Sequence, residues 1–138
     1  MVIFIDTSSL IKRYVSETGS DIIDSLFNDE NEICISPVTV IEMRSALGRK
    51  LRDGSIDSET YQKAIDLWSE EYISFIKISF DDSLVIKAIK EVEDRGVKTL
   101  DSIQIGSALL SMADEMVTSD QQMFRVFQAI KGIKSRFI

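Results

Sequence analysis

Val2-Ile3-Phe4-Ile5-Asp6-Thr7-Ser8-Ser9 opens the chain with an unbroken apolar run that stops at an aspartate. An apolar run without alternation reads as a strand buried on both faces, the kind found in parallel sheets. A helical pattern follows from about Ser9. A second starts near Ser20, with Ile22, Ile23, Leu26 and Phe27 spaced for one buried face, and Asn28-Asp29-Glu30-Asn31 breaks it. Ile33-Cys34-Ile35 is a second short strand, closed by Ser36-Pro37, which reads as a helix start with Ser36 as N-cap and proline in the first turn. That helix runs through Ile41, Glu42 and Leu47 towards Leu51, where Asp53-Gly54 ends it.

Residues 57–72 and 81–95 read as two more amphipathic helices, with a third strand over residues 73–78 between them. Leu100 to Ala113 reads as a helix, Met116-Val117-Thr118-Ser119 as a strand ending at Asp120, residues 122–127 as a helix and residues 135–138 as a last strand. Strands alternating with helices imply an α/β fold, a mostly parallel twisted sheet of about five strands flanked by helices. Length bounds this to one domain, residues 1–138, since 138 residues is the size of an ordinary globular unit. At 44% hydrophobic and 28% charged the composition is far from that of a disordered chain.

No apolar run approaches the roughly 20 residues that span a bilayer, and the start lacks the basic residues and longer apolar stretch of a secretory signal. A cytoplasmic protein with no membrane partner is the expectation. The single cysteine, Cys34, rules out an internal disulfide. The chain has no histidine, which excludes Ser-His-Asp triads, Cys-His pairs and histidine zinc sites. The net charge of −7 sits entirely in the middle third. Residues 53–94 carry −7, against −2 for residues 1–52 and +2 for residues 95–138. That acidic stretch reads as a solvated helical face, so overall acidity says little about either end.

In an open parallel sheet, ligands bind beyond the carboxyl ends of the strands. Asp6 and Asp120 stand at two such ends, while Glu42 and Asp101 lie early in helices that start near the same crevice. Taken singly, each has a structural explanation. Asp6 and Asp120 suit turns or caps, Asp101 suits a helix N-terminus, and Glu42 suits an ion pair with Arg44 or Arg49. Taken together, four carboxylates with no histidine nearby would repel one another unless a cation sits among them. All-oxygen ligation selects Mg²⁺ or Mn²⁺, the equipment for phosphodiester hydrolysis by activated water.

At these residues the chain resembles the PIN-domain ribonucleases, and among them the VapC-like toxins of toxin–antitoxin pairs. The resemblance rests on Ile3 to Lys12, on Ser36-Pro37-Val38-Thr39-Val40-Ile41-Glu42, on Thr99 to Ala108 and on Val117-Thr118-Ser119-Asp120. The four acids stand 36, 59 and 19 residues apart in that order. It implies a Mg²⁺- or Mn²⁺-dependent endoribonuclease in which Asp6, Glu42, Asp101 and Asp120 hold the metal. Thr118 matches a supporting hydroxyl, and Ser8 is placed to assist from the first turn. It further implies an RNA substrate, a homodimer and a tight antitoxin partner. The family often reads Asp-Ala-Leu-His after the third acid; here Asp101-Ser102-Ile103-Gln104 lacks the histidine.

RNA needs cations along its backbone. Lys12, Arg13, Arg44, Arg49 and Lys98 are the candidates for that contact, although each also suits an ordinary solvated face and Arg49 and Arg52 suit an acidic antitoxin tail equally well. Tyr61, Trp68 and Tyr72 share one helical segment and read as packing rather than base stacking; Cys34, Met112 and Met116 read as core. Aspartyl-phosphate chemistry is disfavoured because Ser8 stands where haloacid-dehalogenase-like phosphatases carry a second aspartate. A receiver-like phosphoacceptor is disfavoured by Thr7 and Ser119-Asp120. The non-enzymatic alternative is a catalytically inactive PIN-like module that binds nucleic acid or protein.

Overall fold

A computed structural model describes residues 1–138. The opening run forms β1 (Val2–Ile5), with Ile3, Phe4 and Ile5 wholly buried. It lies at the centre of a five-stranded sheet made with β2 (Glu32–Ile35), β3 (Ile76–Lys77), β4 (Glu115–Thr118) and β5 (Lys134–Phe137), in the order β3-β2-β1-β4-β5. Every pairing is parallel; Phe4 stands opposite Cys34 on one side and Met116 on the other.

Alternation along β1 divides the core in two. Ile3 and Ile5 face a cluster built with Leu10, Ile23, Met43, Leu47 and Trp68. Phe4 faces the opposite layer, with Cys34, Ile105, Met116 and Phe127. The helices covering these layers are α1 (Thr7–Leu10), α2 (Ser20–Leu26), α3 (Thr39–Arg52), α4 (Ser58–Glu71), α5 (Asp82–Arg95), α6 (Thr99–Leu110) and α7 (Gln121–Gln128). None is long and apolar enough to cross a membrane. The chain winds outward from β1 through β2 to β3, then returns to β4 and β5 on the other side. The reversal leaves a crevice beyond the carboxyl ends of β1 and β4.

Local structure departs from the sequence reading at four points. Helix α3 begins at Thr39, with Val38 rather than Ser36 at its cap. The Ser36 hydroxyl is wholly buried and accepts from Ser107 at 2.9 Å, so a turn closed by Thr39 N and Ser36 O precedes the helix instead. The expected strand over residues 73–78 shrinks to Ile76–Lys77, because a 3₁₀ turn over Tyr72–Ser74 extends α4 and packs Tyr72 and Phe75 against Trp68. A short edge strand exposes little unpaired backbone. The first helix starts at Thr7, two residues early, because Asp6 caps it. Met112 is 86% exposed at a positive φ of 52°, outside the core; Met116 is wholly buried.

Candidate active site

Asp6 leaves β1 with extended backbone, and its carboxylate caps α1 by accepting from Ser9 N at 3.2 Å. Two hydroxyls also donate to it, Ser8 Oγ at 2.8 Å and Thr118 Oγ1 at 2.7 Å. Only 4% of Asp6 is exposed. Burial pushes its pKa up to about 6; the three hydrogen bonds oppose the rise, and the charge of Asp120 adds to it.

Asp120 is the exposed cap of α7, accepting from Met123 N at 2.9 Å. Its own backbone N–H donates to Thr118 Oγ1 at 3.0 Å, so one hydroxyl at the end of β4 ties both aspartates to the crevice. Asp101 lies half-buried in the first turn of α6. Burial and then the charge of Asp120 raise its pKa, and Lys98 alone opposes them. Asp120 is thus the electrostatic neighbour of both other aspartates.

Glu42 enters from the first turn of α3. Its Oε1 accepts from Thr7 Oγ1 at 3.0 Å and from Gln104 Nε2 at 2.6 Å. Thr7 follows Asp6, and Gln104 lies three residues beyond Asp101, on the same face of α6. Glu42 is therefore fastened to the elements that carry two of the other acids. Gln104 Nε2 also lies 3.0 Å from Thr7 Oγ1 and 3.1 Å from Thr39 Oγ1, while its buried Oε1 has no partner.

None of the four acids takes part in a salt bridge. No three carboxylates converge into a ready-made metal cage. The donor chemistry nonetheless fits a hard cation. Only oxygen ligands are on offer, from carboxylates, hydroxyls and the Gln104 amide, and the pKa values of Asp6 and Asp101 are both raised by burial and by the charge of Asp120. Mg²⁺ is commonly held by one or two carboxylates, with water and substrate phosphates completing its shell, so a closed protein cage is not required.

Residues 3–128 match the PIN domain family. The chain is a PIN domain. No curated protein matches it significantly. Among solved structures, its fold is similar to VapBC2 from Rickettsia felis bound to a DNA fragment from its promoter, at 16% identity and a TM-score of 0.69, with 100% of this chain and 99% of that chain covered. A toxin–antitoxin complex from Klebsiella pneumoniae follows at 18% identity and TM-score 0.67, covering 99% of each chain. DNA-bound VapBC from Salmonella typhimurium is similar at 18% identity and TM-score 0.66, over 99% of this chain and 98% of that one.

The PIN domain also holds its basic residues unequally. Arg49 and Lys50 line a cleft of ≈ 430 Å³ with Thr7, Ser8 and Glu42. Arg44 and Lys98 are exposed and unpaired. Lys12 is half-buried and donates to Thr18 O at 2.8 Å. Arg13 is fully committed elsewhere. Its guanidinium bonds Glu71 at 2.6 Å and Asp24 at 2.9 Å and lies 4.7 Å from the Phe27 ring centroid. The charge that suggests an RNA contact in the sequence serves packing between α2 and α4.

Three polar residues of the site escape sequence reasoning: Thr7, Thr39 and Gln104. Thr7 looks like part of a cap, and Thr39 like a helix start. Gln104 carries a signal, because a large amide between Ile103 and Ile105 and one turn from Ala108 needs a buried partner.

Proposed function

We propose that this PIN domain is a metal-dependent endoribonuclease, the toxin of a toxin–antitoxin pair. Three observations support the reading: Asp6 and Asp101 both feel the charge of Asp120, Glu42 is bonded to Thr7 beside Asp6 and to Gln104 one turn beyond Asp101, and none of the four acids has a basic partner. Unpaired acids of this kind are costly in a metal-free fold and suit a cation. Bound Mg²⁺ or Mn²⁺ supplies a water of lowered pKa and neutralises phosphate oxygens.

Within this reading Asp6 is the most rigid ligand, immobilised by Ser8, Ser9 and Thr118. Asp120, whose charge reaches both Asp6 and Asp101, and Asp101 itself carry fewer restraints. Gln104 and Thr7 occupy Oε1 of Glu42 and leave Oε2 to the cation or its water. Lys98 and Arg49 provide positive charge beside the crevice for the RNA backbone. By resemblance to the family, hydrolysis leaves a 5′-phosphate and a 3′-hydroxyl.

The similar VapBC and toxin–antitoxin structures support an antitoxin protein as partner. A homodimer is supported by the apolar surface of α5 and α6, where Phe80, Ile86, Ile89 and Leu100 are each more than half exposed. Contiguous apolar surface of this kind marks interaction sites.

A PIN-like module without turnover is the competing reading, and the lack of a preassembled three-carboxylate cage favours it. One assay separates the two: the purified, partner-free protein is incubated with unpaired RNA and Mg²⁺ or Mn²⁺. Cleavage that stops with chelator and is absent in a folded Asp101→Asn variant establishes the nuclease; intact RNA under every metal condition establishes the module.

A further inference from the structure

The aromatic side chains divide sharply by position. Tyr14, Tyr72 and Phe75 each pack edge-on or tilted against Trp68 of α4, and Phe4 meets Phe127 in the opposite layer. Only Phe80 and Phe137 are exposed, at 61% and 42%. Phe80 belongs to the apolar α5–α6 face. Phe137 lies beside Thr118, the hydroxyl that bonds Asp6.

Its place follows from strand register. Phe137 is the residue of β5 opposite Thr118 of β4, and parallel partners project to the same face of a sheet. Thr118 is the hydroxyl that donates to Asp6 at 2.7 Å and accepts from Asp120 N at 3.0 Å. The Phe137 ring packs at 5.6 Å and 49° against Phe124, whose N–H donates to Asp120 O at 2.8 Å in the first turn of α7. Phe124 is half-buried and props its partner from behind. A propped aromatic ring, half-open to solvent and one strand from an acidic site, is built as a platform. Burying it in the core would have been cheaper for stability alone.

We propose that the Phe124–Phe137 pair is a stacking site for an unpaired nucleobase flanking the scissile phosphate. This inference rests on the nuclease reading above and assigns a residue pair of this chain to the contact with a base beside the cut. A base held in a duplex keeps its faces covered by neighbours, whereas an unpaired base offers a face to an aromatic side chain.

The test uses the full chain with a short unpaired RNA carrying 2-aminopurine. Stacking predicts that its fluorescence drops on binding to an uncut complex formed with Asp101→Asn. Adding Phe137→Leu, which keeps an apolar cover over Phe124, abolishes the drop, and Phe137→Trp retains it. In the otherwise unaltered enzyme, Phe137→Leu raises KM about tenfold with kcat held near its original value. Unchanged KM and unchanged fluorescence in Phe137→Leu, with cleavage still running, overturn the platform and leave the nuclease standing. A fall in kcat alone also overturns it, since that result assigns Phe137 to supporting Thr118. Failure of the unaltered protein to bind any RNA overturns both readings.

Discussion

The amide of Gln104 donates to Glu42 Oε1 at 2.6 Å, joining α6 to α3 across 62 residues of sequence. Thr7, following the first acid, donates to the same oxygen at 3.0 Å. Through these two bonds the glutamate is held by the segments that carry Asp6 and Asp101. Where a carboxylate holds a metal, removing the partner that orients it typically costs about 10- to 100-fold in metal affinity or activity.

Replacing Gln104 with leucine removes that donor while keeping bulk in a buried position. Mn²⁺ affinity measured by calorimetry is expected to fall about 10- to 100-fold, with cleavage reduced in step. The variant stays folded by circular dichroism, at a cost of about 1–3 kcal/mol for the acceptors left unpaired. Unchanged Mn²⁺ affinity would remove Gln104 from the site.

Asp6 makes the metal-free protein sensitive to pH. Its folded pKa of about 6 exceeds the ordinary 3.8, because burial disfavours the charged form. Below about pH 4 the carboxyl is protonated in both folded and unfolded chains and costs nothing. As pH rises from 4 to 6 the unfolded chain releases its proton first, so this group lowers stability, by on the order of 3 kcal/mol once fully ionised. Thermal melts in chelator should therefore show Asp6→Asn gaining on the unaltered protein as pH climbs through that window. A constant difference between the two would contradict a buried Asp6 carboxyl with no cationic partner.

Divalent cation should act in the opposite direction. Mn²⁺ that binds only the folded state raises the melting temperature, by an amount that grows with concentration. The rise should be greater at pH 8 than at pH 5, where protons compete for Asp6 and, to a lesser degree, Asp101. An equal rise at both values would point to ion binding on ordinary surface carboxylates.

Arg13 and Arg49 should separate cleanly. Arg13→Ala breaks the contacts to Glu71 and Asp24 and is expected to cost about 2 kcal/mol in denaturant unfolding, with RNA affinity intact. Arg49→Ala is expected to leave stability within about 0.5 kcal/mol and to shallow the salt dependence of RNA binding. Loss of RNA affinity in Arg13→Ala at full stability would reverse the assignment.

The legible parts of this molecule are those written in local pattern. Val2–Ile5 could only be a doubly buried strand, and its abrupt end at Asp6 marked the crevice. The four acids stood out because each sat beside apolar residues at a strand or helix boundary. The illegible parts depend on which side chains meet in space. Ser36 has every local mark of a cap, and its hydroxyl does accept from Val38 N at 3.4 Å, yet it also takes the Ser107 hydroxyl and the helix itself starts only at Thr39. Residues 73–78 are β-prone, but Trp68 anchors Tyr72 and Phe75 and winds most of the segment into a turn. Arg13 looked free until Glu71, 58 residues away, folded onto it. Gln104 stands where the family often carries a histidine, but its bond to Glu42 is a fact of packing.

The most direct test is a Mn²⁺ titration followed by electron paramagnetic resonance on the purified protein and on Asp6→Asn, Glu42→Gln, Asp101→Asn and Asp120→Asn. Saturable uptake that each substitution weakens is expected, with the largest losses at Asp6 and Asp101. Absence of uptake, or uptake indifferent to all four changes, would contradict a shared cation and the chemistry that follows from it.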